Sequence, residues 1–572
     1  MNQVTKSFTV LCSTKKRLIA VNELKDRPWT ALYPDGVQVL IEPAARTINE
    51  AWTQRVSGAP DATAVTYFDQ SLSASDVDAL TDALGVELQQ RGVCPGSTVG
   101  IYLQNIPQFV LSMLAIWKAG GTALMLNPMY KGKELRNIID DSGAVGMVCL
   151  DSELDGVTEA LRGSRMAWVI TTSDLDFQSE DDPRVFRSTV RRDQTEEDLR
   201  SIIQRRSGQV PVPPPLTEDS VALLTYTSGT TGPAKGALGT HRNVLSVATG
   251  YAQWQDFAAG DVVLAVAPLF HITGAVATAV TALIHPVNLA FINRVRPDVI
   301  LESFRRHGVT HVIGSITVFN ALLDLAHATS TEFSTLKYIY SGGAPIPPAT
   351  VAAFQARFGQ YIHNVYGMTE TASAVIAVPP GSVAPVDPAS GTLAIGVPLP
   401  NLLARVIGLD GEPVPDGEPG ELELSGPKVT PGYLNKPAET AAAIPGGRLR
   451  TGDVAIMDAA GWIYLVDRMK DQINVSGYKV WPREVEDALY EHPAVLEAAV
   501  VGQPDSYSGE AVVAYVSLKA GQHATDTELI SFAKERMAAY KYPRRLYILN
   551  DLPKTHTGKI QRRELRGLNL KD

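Results

Sequence analysis

Cysteine, positive charge and long apolar runs are all scarce in this sequence. Cys12, Cys94 and Cys149 are the three cysteines among 572 residues. Their odd number and wide spacing argue against a disulfide scaffold and against a zinc site. Lys and Arg number 51 against 61 Asp and Glu, for a net charge of −10. We therefore expect no bulk electrostatic binding to nucleic acid.

The apolar segments do not suit a membrane. The most apolar stretch, 275–292, contains Thr281, His285 and Asn288, whereas a membrane span requires about 20 mostly apolar residues. We interpret it as buried core. The first 20 residues lack the apolar block of a signal peptide, and the C-terminal Leu570-Lys-Asp572 is not a peroxisomal address. A cytoplasmic protein without a transmembrane segment is expected.

Hydrophobic residues make up 45% of the chain and charged residues 20%, which is ordinary globular usage. From about residue 46, apolar periodicity alternates between helix and strand. A helix is predicted over 75–92, a strand over 98–103, a second helix over 107–119 and a strand over 121–126. Such alternation is typical of a mainly parallel sheet covered by helices.

Later segments extend this organisation. We interpret the charged stretch 174–206 as a surface insertion with a helix, and the proline-rich segment 209–216 as a stiff connector. A second α/β region is predicted over 220–397. Between 402 and 466, period-two alternation bounded by glycines predicts a small antiparallel or barrel-like unit.

The C-terminal part is predicted to fold as a separate α+β domain. Thr525 and Glu528 form a capping box, and Leu529, Phe532, Ala533, Met537 and Tyr540 supply one apolar helix face. The predicted fold is thus α/β, with two α/β subdomains and a β-barrel-like unit before the small domain. The predicted divisions are an extension over 1–45, a large domain over 46–467 and a small domain over 468–572.

The strongest local signal is an apolar strand that runs into a loop of small and hydroxylated residues. Backbone N–H groups and hydroxyls in such a loop suit phosphate oxygens, and Lys235 adds a positive charge. It is not a Walker loop, because Lys235 follows Ala234 and not a glycine. The candidate phosphate-binding residues are Thr227, Ser228, Gly229, Thr230, Thr231, Gly232 and Lys235.

The loop Tyr226–Lys235 resembles the phosphate-binding signature of the adenylate-forming superfamily. This group includes acyl-CoA synthetases, aryl-CoA ligases, beetle luciferases and the adenylation domains of peptide synthetases. Six further segments match its motifs in order between about 220 and 566. They are Tyr366-Gly-Met-Thr-Glu370, Gly432-Tyr-Leu434, Thr451-Gly-Asp453, Asp467-Arg-Met-Lys-Asp471, Gly477-Tyr-Lys479 and Pro553-Lys-Thr-His-Thr-Gly-Lys559. The chain is most similar to a fatty-acid or aryl-type acyl-CoA ligase.

The resemblance implies a two-step reaction with ATP, Mg²⁺ and coenzyme A. A carboxylate attacks the α-phosphorus of ATP, which gives an acyl-adenylate and pyrophosphate. A thiol then attacks the activated carbonyl and releases AMP. The first step builds negative charge on phosphate, so it requires a metal and cations.

The matched motifs imply roles for particular residues. Glu370 would coordinate Mg²⁺, and Thr369 would contact the α-phosphate. Asp453 would hold the ribose hydroxyls, and Arg468 the ribose or a phosphate. Lys559 would reach from the small domain to the carboxylate and the α-phosphate. The residues expected around the adenine are Gly342, Gly343, Ala344, Pro345, Tyr366, Gly367 and Met368, with Tyr366 stacked on the base.

The same resemblance implies a small domain that moves between the two steps. Lys470 matches the hinge of the family, where backbone torsions change. After the small domain has swung, Gly477, Tyr478 and Lys479 would line the tunnel of the thiol.

His271 matches a position that borders the acyl pocket in the family, although an ordinary buried histidine is an equal alternative. Small residues after it, and around Ile313 and Gly314, leave room for an apolar chain. Val365 replaces a glycine found in many relatives and should narrow the pocket. A medium- or long-chain fatty acid, or a polycyclic carboxylate, is therefore favoured over a flat aromatic acid.

The acceptor is expected to be coenzyme A, because the chain ends at Asp572 without a fused carrier domain. Lys541, Arg544, Arg545, Arg562 and Arg563 could attract its phosphates. The alternatives are a fatty-acyl-AMP ligase that passes the acyl group to a carrier protein, an aryl-CoA ligase, and a silent binding protein on the same scaffold. The assembly is left open, with a homodimer as one option.

Overall fold

The computed structural model describes residues 27–186, 189, 195–227, 234–388, 391–468, 471–476, 478–505, 509–555 and 559–568. The described residues up to 468 are called the large unit, and those from 471 to 568 the small unit. The strands are β1 (Thr63–Tyr67), β2 (Gln70–Ser73), β3 (Thr98–Tyr102), β4 (Thr122–Met125), β5 (Gly146–Leu150), β6 (Trp168–Thr172), β7 (Val221–Tyr226), β8 (Gly236–Thr240), β9 (Val262–Leu264), β10 (Asn288–Phe291), β11 (His311–Gly314), β12 (Tyr338–Gly342), β13 (Ile362–Met368), β14 (Ser373–Ala377), β15 (Val397–Pro398), β16 (Leu403–Ile407), β17 (Gly420–Ser425), β18 (Leu449–Met457), β19 (Ile463–Arg468), β20 (Ile473–Val475), β21 (Tyr478–Val480), β22 (Val495–Asp505), β23 (Gly509–Leu518) and β24 (Arg545–Ile548).

The helices alternate with these strands. They are α1 (Ile48–Gly58), α2 (Ala74–Gln90), α3 (Pro107–Ala119), α4 (Gly132–Ser142), α5 (Leu154–Ala160), α6 (Pro183–Phe186), α7 (Leu199–Arg206), α8 (His241–Trp254), α9 (Thr281–Leu283), α10 (Pro297–Arg306), α11 (Ile316–Leu323), α12 (Pro348–Phe358), α13 (Pro437–Ala443), α14 (Pro482–Tyr490), α15 (Asp526–Lys534) and α16 (Arg562–Arg566). Short 3₁₀ turns occupy Pro28–Leu32, Asp151–Glu153, Ser330–Phe333, Thr369–Thr371 and Pro445–Gly447, and a π-helix occupies Thr273–Val280.

Two sheets form most of the large unit. The first has the strand order β6-β5-β3-β4-β7-β8 and is parallel except for the β7–β8 pair. The second has the order β15-β14-β13-β12-β11-β9-β10-β1-β2 and is parallel from β13 to β1. Helix α3 is buried on nearly all sides because it lies between the two sheets. The predicted parallel sheets with covering helices are confirmed.

The sequence predicted a second α/β region that begins after the proline-rich segment 209–216. The two observed sheets do not divide at that segment. Strands β1 and β2 precede that segment yet join the second sheet, while β7 and β8 follow it and complete the first. One hydrophobic cluster runs through both sheets, with Ile101 from β3 and Leu264 from β9. The chain therefore crosses between the sheets, and a local composition change cannot mark that crossing.

The described residues of the charged stretch 174–206 are not confined to the surface, which contradicts the predicted surface insertion. Asp174, Asp176 and Asp182 are buried, and Leu199 and Ile202 belong to the main core cluster. The acids are tolerated inside because they have partners, such as the Asn293 amide that donates to Asp174 at 3.2 Å. The helix expected within the stretch is present as α7.

The third sheet of the large unit is the antiparallel meander β16-β17-β18-β19. Over the described residues its first and last strands are not paired, so it is an open sheet and not a closed barrel. Residues 27–45 pack on the rest of the large unit: Trp29 is buried, and Tyr33 donates to the carbonyl of Pro398 at 2.6 Å.

The small unit has its own sheet, β21-β20-β23-β22, with β24 paired to β23. The predicted capping box of Thr525 and Glu528 is present at the start of α15. The helix ends at Lys534, so Met537 and Tyr540 lie beyond the helix on whose face they were predicted. The apolar spacing continues past the point where the backbone hydrogen bonds stop.

The apolar stretch 275–292 is buried in the core, as predicted, within the π-helix, α9 and β10. Across the part of the chain that the structure describes, no helix is both long enough and apolar enough to cross a bilayer.

Candidate active site

Several predicted site residues meet where neighbouring parallel strands end. Strand β12 ends at Gly342 and β13 at Met368, and Gly342 pairs with Val365 in register. A side chain at Gly342 would overlap the carbonyl oxygen of Val365 and approach its Cγ1 to 2.9 Å. Gly343 has a φ of +80°, which favours glycine. These two glycines therefore allow the loop 342–345 to follow the end of β13 closely.

Asp453, Arg468 and Tyr366 form one connected group, in which Asp453 is buried, Tyr366 is half-buried and Arg468 is exposed. Asp453 on β18 pairs in register with Arg468 at the end of β19. The Tyr366 hydroxyl donates to Asp453 Oδ2 at 2.7 Å, and Arg468 Nε lies 3.3 Å from Oδ1. Burial raises the pKa of Asp453, while the Arg468 charge and the Tyr366 hydrogen bond lower it. The carboxylate is thus held in a fixed orientation.

Glu370 is buried on the 3₁₀ turn after β13. Its Oε1 accepts a hydrogen bond of 2.6 Å from the Tyr433 hydroxyl, and its backbone carbonyl accepts one from Thr430 N–H. Over the described residues, no hydrogen bond is recorded to the second carboxylate oxygen. Tyr433 lies in a matched motif, Gly432-Tyr-Leu434, but no sequence pattern assigns a role to it.

The two described ends of the predicted phosphate loop lie beside Glu370. Thr227 N–H donates to the carbonyl of Lys235 at 2.9 Å, which closes the base of the loop. Lys235 Nζ lies 4.7 Å from the centroid of the Tyr433 ring, a cation–π distance. Ser228, Gly229, Thr230, Thr231 and Gly232 lie outside the described residues, as do Lys470 and Gly477.

Lys559 reaches from the small unit to the loop 342–345. Its Cε lies 3.5 Å from the position that a Cβ would take on Gly343. Burial and the Arg468 charge lower the pKa of Lys559, whereas Asp453 raises it. The backbone carbonyl of Lys559 accepts a hydrogen bond of 2.7 Å from Thr555 N–H. The structure thus brings Lys559, Asp453 and Arg468 into one electrostatic group.

His271 belongs to the same site. Burial, with a smaller effect of the Lys559 charge, lowers the pKa of His271 to about 3, so the ring is neutral at pH 7. Thr273 N–H donates to His271 Nδ1 at 3.3 Å, which leaves the ring proton on Nε2. A π-helix follows, and a side chain at Gly274 would overlap the backbone of Pro268. π-turns of this kind are frequent at functional sites.

Val365 is buried and forms part of an apolar wall. Its cluster contains the aromatic residues Tyr251, Trp254 and Tyr340 together with the smaller Ala277 and Ile313. Val365 faces Gly342 on one side and this cluster on the other, so it lies between the loop reached by Lys559 and the aromatic wall.

Tyr478 and Lys479 are placed elsewhere. Both are exposed on β21, and the Tyr478 ring stacks on Tyr540 with centroids 4.7 Å apart. Within the described residues, their recorded contacts lie in the small unit. Tyr478 and Lys479 are therefore not part of the group around Lys559 in this arrangement.

The site suits a metal ion bound by one protein carboxylate, and not a metal ion bound by several protein side chains. Among the residues that the structure describes, no group of three or more His, Cys, Asp or Glu side chains could hold a metal ion. Mg²⁺ is commonly bound by one or two carboxylates together with substrate phosphates and water. Glu370, with one oxygen fixed by Tyr433, fits that pattern.

Comparisons with known proteins agree with this arrangement. The family model for AMP-binding enzymes matches residues 52–434, and the model for their C-terminal domain matches 484–559. A long-chain-fatty-acid–CoA ligase of Bacillus subtilis (strain 168) is 32% identical over 571 residues, covering 94% of this chain and 97% of that protein. A sulfoacetate–CoA ligase of Cupriavidus necator is 33% identical over 489 residues, covering 85% and 90%. The crystal structure of ATP-bound MatB from Rhodopseudomonas palustris superposes with a TM-score of 0.80 at 26% identity, covering 91% of this chain and 98% of that chain.

Proposed function

The chain belongs to the AMP-binding enzyme family, and from that premise we propose the acid, the metal and the residue roles of its reaction. It is an AMP-forming acid–thiol ligase that uses ATP and coenzyme A. The proposed acid is a medium- or long-chain fatty acid or another bulky apolar carboxylate, and the proposed metal is Mg²⁺. The observation that carries the role assignment is the approach of Lys559 to Gly343, beside Asp453 and Arg468.

In the proposed first step, the carboxylate of the acid lies between His271 and Lys559. The neutral His271 ring adds no charge there, so the Lys559 ammonium orients the anion. The carboxylate attacks the α-phosphorus and pyrophosphate leaves. Lys559 stabilises the charge that grows on the α-phosphate, and Thr369 contacts the same group. Asp453 holds the ribose hydroxyls, with Arg468 beside it.

Glu370 would hold the magnesium ion, and Lys235 would contact the departing phosphates. The ion would supply positive charge to the phosphate oxygens. Tyr433 orients the Glu370 carboxylate through the 2.6 Å hydrogen bond and also lies under Lys235. Tyr433 therefore contacts both Glu370 and Lys235, the two charged residues proposed to act on the departing pyrophosphate.

The second step requires the thiol of coenzyme A to reach the adenylate. In the present arrangement Lys559 lies in one of the paths by which the thiol could enter. We propose that the small unit turns about Lys470 and brings Tyr478 and Lys479 to the site. Tyr540, which stacks on Tyr478, and the exposed Arg544 would then lie near the phosphates of coenzyme A. The divisions 1–45, 46–467 and 468–572, a cytoplasmic location and a homodimer stay predictions.

The acid class is supported by the Bacillus subtilis relative, whose name gives long-chain fatty acids. Other relatives bear names with small or aromatic acids, such as sulfoacetate and ferulate, so an aryl-CoA ligase is the second candidate. Val365 argues against a flat aromatic acid, because it stands beside Gly342 where the acid would enter.

The test is pyrophosphate release with MgATP across short, medium and long fatty acids, a cinnamic-type acid and a steroid acid, with and without coenzyme A. We expect release with medium or long apolar acids and sustained turnover only with coenzyme A. A single burst that coenzyme A does not relieve would instead indicate a carrier-protein acceptor. Release confined to the cinnamic-type acid would establish the aryl-CoA alternative.

A further inference from the structure

A second contact joins the small unit to the loop that Lys559 reaches. Arg483 is buried in the first turn of α14, and its Nη2 donates to the backbone carbonyl of Ile346 at 3.1 Å. Ile346 is fully buried and directly follows the loop 342–345. Lys559 and Arg483 therefore touch the two ends of one short segment of the large unit.

The Arg483 side chain is held in place by its own helix. Its Nε donates to both carboxylate oxygens of Asp487, at 2.9 and 2.8 Å, one turn further along α14. This charge-assisted contact and the burial of the side chain restrain the guanidinium group. Its Nη2 is directed at the carbonyl of Ile346.

The backbone of Arg483 is bound by Asp467, a residue of the large unit that precedes the predicted hinge in the chain. Its N–H donates to Asp467 Oδ2 at 3.0 Å, and Arg562 Nη1 binds Asp467 Oδ1 at 2.8 Å. Asp467 belongs to β19 of the large unit, whereas Arg483 and Arg562 belong to the small unit. The charged contacts on Asp467 and the contact with Ile346 thus hold the same orientation of the small unit.

We propose that Arg483 is a positioning residue that latches the small unit in the arrangement required for acyl-adenylate formation. The latch keeps Lys559 at Gly343 without itself touching the substrate. The contact with Ile346 must break before the small unit can turn, so the latch favours the first step and opposes the second. This inference rests on the proposed function, including the role of Lys559.

The test separates the two steps in the full-length protein. ATP–pyrophosphate exchange reports adenylate formation, and single-turnover thioester formation from a supplied acyl-adenylate reports the second step. Arg483→Met keeps the apolar stem and removes the donor. We expect exchange to slow by about tenfold to a hundredfold, while thioester formation is unchanged or faster. Arg483→Lys should fall between wild type and Arg483→Met.

Two further variants keep the test independent of stability. Asp487→Asn leaves Arg483 present but less well oriented, and we expect a smaller loss confined to exchange. Arg536→Met is the matched control, because the recorded contacts of Arg536 lie within the small unit; both steps should stay within twofold of wild type.

Equal losses in both steps, accompanied by a lower melting temperature, would show a merely structural role and overturn the proposal. Unchanged exchange in Arg483→Met would overturn it as well. A wild-type protein without acid-dependent exchange would instead contradict the proposed function, so the two failures are distinguishable.

Discussion

The two sheets of the large unit are joined by apolar contacts, whereas the small unit is joined to the large unit by charged contacts. A single apolar cluster, which includes Ile101 and Leu264, runs through both sheets. The small unit keeps separate apolar clusters, and its seam with the large unit is charged. There Arg562 binds Asp467 and Glu486. Apolar contacts lose their stabilisation when they separate, whereas charged groups can exchange partners for water, so the charged seam is the one suited to movement.

The seam can be broken by removing its central cation. Arg562→Met would leave Asp467, Asp471 and Glu486 without it, and a broken buried ion pair typically costs about 3–5 kcal/mol. We expect calorimetry to show the small unit unfolding in a separate, earlier transition. Asp471 keeps its contact with Arg566 at 2.7 Å, so protonation of Asp467 and Glu486 should restore part of the loss as the pH falls.

Leu111→Ala is the matched change on the apolar side. Leu111 is fully buried in the shared cluster, and such truncations cost about 2–5 kcal/mol. This loss should fall on the large unit and should not depend on pH. If both variants unfolded in one common transition with the same pH dependence, the contrast between the two seams would be wrong.

Lys559→Ala tests what the charged seam contributes to chemistry. Removal of one group that stabilises transition-state charge typically lowers a rate by about 10²–10³-fold, so ATP–pyrophosphate exchange should fall by that amount. Thioester formation from supplied adenylate should change little. Lys519→Ala, which removes an exposed cation of the same unit, should leave both rates unchanged. Exchange within twofold of wild type in Lys559→Ala would refute the assigned role.

Lys428 provides a contrast to Arg562. Both are cations, but Arg562 is surrounded by carboxylates, whereas over the described residues Lys428 lies inside the large unit without a recorded carboxylate partner. It is fully buried, and no hydrogen-bond partner of its Nζ is found among the described residues. Burial lowers the pKa of Lys428 to about 7 from 10.5. Between these values the unfolded chain binds the extra proton, so this residue makes stability rise with pH across that window.

Lys428→Met should therefore stabilise the protein by ~1–3 kcal/mol near pH 7. Its advantage should shrink as the pH rises from 7 through 10.5, because only above 10.5 is the wild-type lysine neutral in both states. Denaturant unfolding at pH 7 and at pH 9.5 measures this. A variant that is less stable at pH 7 would mean that Lys428 has a favourable partner.

Val365→Gly is expected to have the smallest effect and tests the apolar side of the site. The change removes the side chain that packs beside Gly342 and should admit flat aromatic acids. We expect kcat/KM for a cinnamic-type acid to rise by about tenfold relative to a medium-chain acid, with Val365→Ala intermediate. An unchanged ratio would show that another residue sets the preference.

Sequence motifs nominate the members of the candidate site but not the contacts between them. Ordered motifs identified Asp453, Arg468, Glu370 and Lys559, because each motif is local and its spacing is short. The pairing of Asp453 with Arg468 depends on the register of β18 and β19, which no single segment contains.

The residues that sequence reasoning missed act through distant partners. Tyr433 is 63 positions from Glu370 and Arg483 is 137 from Ile346, so no spacing rule could connect them. The charged stretch 174–206 gave the opposite error. Its charge predicted a surface position, but several of its acids are buried because residues on other elements bind them. Packing, and not local pattern, decides these cases.

Product stoichiometry is the most direct measurement of the proposed reaction. With MgATP, coenzyme A and an accepted acid, we expect one AMP and one pyrophosphate for each acyl-CoA formed, with no adenylate accumulating. Formation of ADP and inorganic phosphate, or acyl-adenylate that persists in the presence of coenzyme A, would contradict it.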